Sequence, residues 1–130
     1  MVERIVFKGM TADQVSKLSG DEFLGLVTSR ARRTVKRNAM KYKALLAEVG
    51  KRRASKSDKP IRTHVREAVI LPSWIGMKFA VHNGKEFQTM AITANMVGGR
   101  LGDFAFSTKR VQHSAPGIRA TKGSKALGEK

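Results

Sequence analysis

The sequence predicts an α+β fold, with N-terminal helices packed on a small, mostly antiparallel sheet and a basic extended C-terminal tail. Three observations carry that expectation. Two capping boxes, Thr11 to Gln14 and Ser19 to Glu22, open helical periodicities near the N-terminus. Two alternating runs flank Asn83-Gly84, a pair that readily adopts the positive φ angles of a tight hairpin turn. Beyond Ala105 the pattern decays into small, polar and basic residues without a period.

Taken in order, residues 1–10 read as an extended lead-in. Thr11 starts a short helix reaching about Leu18, with Val15 and Leu18 apolar. Ser19 opens a longer helix through about Arg37. There Phe23, Val27, Ala31 and Val35 recur at four-residue spacing and form one apolar stripe, the obvious supply of a core for the hairpin. Asp21 and Glu22 in its first turn and arginines toward its end suit the helix dipole. A second helical segment, about 39–53, carries Tyr42, Leu45, Leu46 and Val49. Whether the two segments are continuous is left open by the pattern. Residues 50–60 read as a polar loop or linker.

Ile61, Thr63 and Val65 alternate, and the apolar run Ala68-Val-Ile-Leu71 follows until Pro72 ends it. Part of this stretch reads as a strand joining the hairpin. A connector with the single tryptophan, Trp74, leads into the runs around Phe79 and Val81 and then Phe87 to Ile92. Thr93 is expected to cap a short helical piece ending near Leu101, with Gly98 and Gly99 supplying the left-handed geometry that stops it. Gly102-Asp103-Phe104 closes the unit. The tail cannot bury enough apolar surface to offset its ordering entropy, so it is expected to order only against a partner. Its last twenty residues would span roughly 60 Å if extended.

The charge is the strongest functional signal. Twenty-six Lys and Arg oppose ten Asp and Glu, for a net charge of +16 and a pI near 11.1. Residues 30–56 hold eleven basic and one acidic side chain. Concentrating one sign in this way points to a polyanion rather than to solubility. The bland alternative is a solvated helix face. Yet so many neighbouring cations repel one another, and a polyanion relieves that repulsion while releasing counterions. Candidates on this ground are Arg30, Arg32, Arg33, Lys36, Arg37, Lys41, Lys43, Lys51, Arg52 and Arg53. A membrane-surface helix competes, because basic amphipathic helices also bind anionic lipid. The stripe needed for a core argues against it. No apolar run approaches the roughly 18 residues of a spanning helix. The N-terminus lacks a signal-peptide core, so a soluble intracellular protein is the expectation.

Catalysis finds little support. His64, His82 and His113 are far apart in the sequence and have no motif partner, and without cysteine there is no disulfide framework or thiolate metal site. No cofactor is expected. Residues 97–103 look superficially like a phosphate loop but lack its Gly-Lys-Ser/Thr ending. As a turn with exposed backbone N–H groups beside Arg100, they suit an RNA phosphate. No zinc finger, basic zipper or helix-turn-helix pattern marks a duplex-DNA reader, although a basic chromatin protein remains the alternative class. Few aromatics are available for base stacking, which favours recognition of shape and phosphate.

The stretches I-L-P-S-W-I-G-M-K-F-A-V-H and N-G-K, with N-M-V-G-G-R-L-G-D-F-A-F-S further on, resemble the signature of the nineteenth protein of the small ribosomal subunit. The resemblance covers about 61–117. It implies a structural RNA-binding protein and not an enzyme. Its site would be the head of the small subunit, on ribosomal RNA, beside other head proteins including the thirteenth and near the large-subunit contact. The family's tail extends toward the decoding region and transfer RNA. Carried over by position, Arg62, His64, Arg66, His82, Asn83, Gly84, Lys85 and Arg100 become RNA-contact candidates. Lys109, Arg110, His113, Arg119 and Lys122 fall on the tail. Asp103 and Phe104 take structural roles, as a turn-capping carboxylate and a core aromatic.

Extra sequence before Ser29, the motif S-R-A-R-R-T-V-K-R and the run past Gly117 are similar to the archaeal and eukaryotic branch rather than the short bacterial form. The expected organisation is an N-terminal extension (1–28), a ribosomal RNA-binding α+β domain (29–108) and a basic flexible tail (109–130). The implied location is the cytoplasmic ribosome, with no membrane partner.

Overall fold

The computed structural model describes residues 4–111. Within them lie four α-helices: α1 (Ala12–Ser16), α2 (Gly20–Leu26), α3 (Ser29–Arg37) and α4 (Lys43–Ser55). Three strands follow, β1 (Ile61–Thr63), β2 (Lys78–His82) and β3 (Phe87–Ala91), with single 3-10 turns at Pro72–Trp74, Ala94–Met96 and Leu101–Phe104. The architecture is α+β, as the sequence predicts.

Both early helices begin where local hydrogen bonding dictates. The Thr11 N–H donates to Gln14 Oε1 at 3.0 Å. The Ser19 N–H donates to Glu22 Oε2 at 3.0 Å, while the Glu22 N–H donates to Ser19 Oγ at 3.4 Å. The expected long helix from Ser19 is broken. Val27 and Thr28 are extended, and Thr28 caps α3 by accepting the Ala31 N–H at 3.4 Å. A threonine followed by serine offers a fresh N-cap, which competes with helix continuation. The stripe Phe23, Val27, Ala31 and Val35 nevertheless reaches one core, split across two helices.

Residues 38–42 separate α3 from α4, so the two basic segments are not continuous. The polar loop expected from residue 50 starts later, because α4 runs through Gly50 to Ser55 and stops at Lys56, which has a φ of +48°. Lys, Arg and Ala are strong helix formers, and Arg52 Nε donates to Glu48 one turn back at 2.9 Å.

The sheet order is β1-β2-β3. β1 runs parallel to β2, pairing Ile61 with Phe79 and Thr63 with Val81. The longer β2–β3 ladder is antiparallel, from Lys78 opposite Ala91 to His82 opposite Phe87. The hairpin exists, but its connection differs from a two-residue Asn-Gly turn. It is a four-residue loop in which Gly84 alone has positive φ. Asn83 contributes its side chain instead, with Oδ1 accepting the Lys85 and Glu86 N–H groups at 3.0 and 2.9 Å.

The apolar run 68–71 does not join the hairpin. It lies antiparallel to residues 98–102: the Ile70 N–H donates to Gly99 O at 2.8 Å, Gly98 to Ile70 O at 3.1 Å, Leu101 to Ala68 O at 3.1 Å and Gly102 to Arg66 O at 2.8 Å. Gly98 takes a φ of +84°, whereas Gly99 does not leave the negative region. The helical piece expected over 93–101 is therefore only a 3-10 turn, and Thr93 makes no side-chain cap bond. A Cβ on Gly102 would lie 3.0 Å from the Arg66 carbonyl oxygen, so the close backbone approach needs glycine there.

This strip divides two cores. Ala68 and Ile70 join Tyr42 just before α4, Leu45 and Val49 of α4, Phe79 and Val81 of β2, Trp74 and Leu101. Val69 joins the other core, with Val15, Phe23, Val27, Ala31 and Val97. Alternate side chains of one extended segment serve opposite cores, so the run is apolar throughout. The hairpin's core comes from α4, while the Phe23–Val35 stripe packs with the strip instead. Phe104 is half-buried against the first core, and Asp103 Oδ2 accepts the Arg100 N–H at 3.1 Å, as expected of a turn-capping carboxylate. The tail beyond residue 111 lies outside the described residues. Among those described, no helix is long and apolar enough to cross a membrane.

Two glycine substitutions test the backbone assignments by their opposite signs. Gly98→Ala places a side chain at positive φ and 3.0 Å from the Phe7 ring, and should lower stability by about 1–2 kcal/mol. Gly50→Ala lies inside α4 with open space around it, and should raise stability by up to about 1 kcal/mol. Urea midpoints at constant m-value measure both.

Candidate nucleic-acid interface

Helix α3 sorts its cations by what its neighbours need. Arg30, Arg33, Lys36 and Arg37 are exposed. Arg32 is turned back instead. Its Nε donates to Leu24 O at 2.6 Å and its Nη2 to Gly25 O at 3.1 Å, satisfying carbonyls at the C-terminal end of α2. A cation there also complements the dipole, so this arginine does structural work at the helix break.

Arg100 leaves the paired strip and reaches α3, donating to Thr34 Oγ1 at 3.4 Å. Together Arg30, Arg100, Gly98 and Gly99 line a cleft of about 390 Å³ beside the start of α3, with Asp103 also on its wall. Two cations seventy positions apart in the sequence are thereby brought to one concavity. The sequence reading of residues 97–103 as a phosphate-facing turn places its N–H groups differently from the structure. Those of Gly98, Gly99, Leu101 and Gly102 are used in backbone pairing or local turns, and Arg100 and Arg30 supply the positive charge.

On α4, Lys43, Lys51 and Arg53 are exposed, while Arg52 is half-buried against Glu48. Between the end of α4 and β1 a groove of about 380 Å³ is lined by Glu48, Arg52, Lys59, Pro60 and Arg62. Lys59 is a cation the sequence reading did not select, and its place beside Arg52 and Arg62 depends on the α4–β1 packing. Lys41 pairs with Glu67 across the surface. The hydrogen bond from Lys41, and then the local backbone N–H, hold the Glu67 carboxyl below its ordinary pKa; the same bond holds the Lys41 ammonium above its own. The Ser19 backbone N–H likewise lowers Glu22, with the Ser19 side chain adding to it.

Arg66 is the second inward-directed arginine. Its guanidinium donates to His82 O at 2.7 Å, to Gly102 O at 3.0 Å and to Ala105 O, tying the end of β2 to the closing turn. Nothing local in the sequence separates Arg32 and Arg66 from the exposed cations, because the carbonyls that hold them come from other elements.

The histidines require a correction. His64 and His82, distant in sequence, have ring centroids 4.5 Å apart. Parallel pairing of Thr63 with Val81 makes them the next cross-strand neighbours. Phe87, opposite His82, completes the group at 5.1 Å from His64 and 4.9 Å from His82, and the Arg62 guanidinium lies 5.5 Å from its ring centroid. Phe87 stands outside the sequence-derived candidates, and its register opposite His82 is what brings it to the group. Asn83, Gly84 and Lys85 form the adjoining loop, with the Lys85 side chain exposed. Lys109 and Arg110 are exposed at the end of the described chain. His113, Arg119 and Lys122 lie outside the described residues. Among the described residues no cluster of His, Asp and Glu is suited to hold a metal ion.

A family described as Ribosomal protein S19 matches residues 33–113. The small ribosomal subunit protein uS19 of Saccharolobus solfataricus is 44% identical over 128 residues, covering 95% of this chain and 90% of its own length. The uS19 protein of Metallosphaera sedula is 38% identical over 120 residues, covering 91% of this chain and 86% of its own.

The division between inward and outward arginines has a direct test. Arg66→Ala should cost about 2–4 kcal/mol by leaving three carbonyls short of their donor, and Arg66→Lys should not restore it. Arg33→Ala should change stability by less than about 0.5 kcal/mol. Denaturant unfolding of the three variants decides the matter. The Lys41–Glu67 pair has a signed pH effect: with Glu67 lowered, its contribution is present above the ordinary carboxyl pKa and is lost as pH falls through the lowered value. Lys41→Met should return the Glu67 carboxyl toward its ordinary pKa in an NMR titration.

Proposed function

The chain belongs to the S19 family of ribosomal proteins, and from that premise we propose that it works as a structural constituent of the small ribosomal subunit, bound to that subunit's RNA. The observation that carries this reading is the set of outward cations on α3, with Arg30 and Arg100 meeting in one cleft. Arg30, Arg33, Lys36 and Arg37 are exposed within nine residues of helix, while the nearby Arg32 is committed to carbonyls. An RNA backbone supplies the dense, mobile negative charge that such a surface lacks. The relatives named above are archaeal, which agrees with the archaeal and eukaryotic character of the sequence. The family is one of structural proteins rather than catalysts, and this chain is read in the same way. Its place of work is the cytoplasmic ribosome.

The finer assignments extend the same proposal. Residues 29–108 form the RNA-binding unit, seated in the head of the subunit near the large-subunit contact. The candidate contacts retained for RNA are the exposed cations of α3 and α4, Arg62, the 82–85 loop and Arg100. Arg32 and Arg66 act on that surface by holding its elements. A neighbouring head protein, the thirteenth of the subunit, is the proposed protein partner. The apolar groove between Val35, Ala39, Tyr42, Leu46 and Trp74 is a surface suited to a protein, and Leu46 on its wall remains 42% exposed. The tail from residue 109 is proposed to approach transfer RNA in the decoding region.

Co-sedimentation with small subunits tests the assignment, and wholly free protein would contradict it. The triple change Arg33→Glu, Lys36→Glu, Arg37→Glu should weaken binding to small-subunit head RNA. It should also flatten the dependence of log affinity on log salt by as much as about 2–3, since each lost phosphate contact removes roughly 0.7–0.9 of slope. An unchanged slope would place the RNA elsewhere than on α3.

A further inference from the structure

We propose that the solvent-facing side of the sheet is a stacking platform for an unpaired base, a finer claim that rests on the RNA-binding reading above. Strand alternation divides the sheet into two faces, with the small Ala80 buried on the outer one between Arg62 and Thr89. Ile61, Phe79 and Val81 point into the first core. Arg62, His82, Phe87 and Thr89 occupy the opposite face, and His64, just beyond the end of β1, lies beside His82 on it. All of these except His82, which is half-buried, are exposed.

The three rings make one mutual cluster. His64 and His82 approach at 4.5 Å with planes 36° apart, and both meet Phe87 nearly edge-on, at 5.1 and 4.9 Å. Phe87 is 37% exposed on the face turned away from the first core. Leaving part of an aromatic ring in water forfeits burial energy that a flat ligand can recover. The cluster is also held in place. His82 Nδ1 accepts the Gly84 N–H at 3.0 Å, and the His82 carbonyl is gripped by Arg66 at 2.7 Å. A surface ordered before binding loses little conformational entropy when it binds.

Charge identifies the occupant. Arg62 lies over Phe87 at 5.5 Å, within cation–π range, and continues into the groove that also holds Lys59. The nearby carboxylates Glu48 and Asp58 are held by Arg52 and Lys78 at 2.9 and 2.7 Å, leaving Glu86 as the loop's own acid. A hydrophobic protein surface would want a broad apolar patch, and this face offers one phenyl ring among imidazoles and a guanidinium. Imidazole, phenyl and guanidinium planes all stack on nucleobases, while the adjoining cations meet the flanking phosphates. Bases within a continuous duplex expose no face, so the ligand is a base displaced from pairing in a loop or bulge.

The test compares a perfectly paired RNA stem with the same stem interrupted by an unpaired fluorescent adenine analogue. The intact protein should bind the interrupted stem more tightly and quench the analogue. Phe87→Leu and His64→Ala should each weaken that complex by about 5- to 150-fold, the value of one base–aromatic stack, and leave the paired stem unchanged. Phe87→Tyr, which keeps the ring, should preserve it. Circular dichroism establishes that each variant is folded, and His64→Ala, at an exposed site, keeps the test alive if Phe87→Leu is not. Equal losses on both stems, no loss on either, or an unquenched analogue would overturn the platform while leaving RNA binding standing. Failure of the intact protein to bind either stem would overturn the RNA-binding reading and the platform with it. Unchanged RNA affinity with lost capture of a neighbouring head protein would assign the face to a protein and also overturn the proposal.

Discussion

Four backbone hydrogen bonds join residues 66–70 to 98–102, and the rest of the molecule is arranged around them. The paired strip has no long strand of its own, yet it separates two cores and contributes to both. Ala68 and Ile70 close the core under the sheet, and Val69 closes the one among α1, α2 and α3. Burial on both sides leaves its polar backbone groups without water, so the pairing is obligatory rather than incidental. Gly98 makes the reversal and Gly102 permits the approach to the Arg66 carbonyl. The glycines in this stretch, which resemble a phosphate loop on paper, thus serve backbone geometry first.

The same strip fixes the direction of the positive surface. Arg100 leaves it toward α3 and meets Arg30 in the cleft, while Arg66 leaves it toward β2 and binds three carbonyls. A guanidinium with five donors in a fixed fork suits either duty. What separates the two is whether neighbouring carbonyls lack donors. Arg32 follows the inward pattern because α2 ends just before it. Strongly basic composition therefore supports two functions at once: internal clasps between irregular segments, and an outward field for a polyanion.

Much of the fold could be read from residue order. The capping boxes at Thr11 and Ser19 mark real helix starts, the alternating runs mark β2 and β3, and Asp103 caps its turn. The long helix through Arg37 could not survive, because Thr28 offers an N-cap that periodicity does not weigh. The basic surface was visible as a charge excess, but its membership was not. Arg32 and Arg66 carry the same side chain as Arg33 and Arg62, and only their surroundings differ.

Residue order alone determined the class of the protein: an α+β chain with two marked helix starts, an alternating hairpin and a large positive charge. These follow from interactions within a few residues and from summed composition. The tertiary structure decided which distant side chains become neighbours. It set His64 beside His82 and Phe87, Arg30 beside Arg100, and α4 rather than the Phe23–Val35 stripe beneath the sheet. Those neighbours come from strand register and from packing across tens of positions. Such long-range pairing is selected by the shared burial of whole segments, which no local pattern encodes.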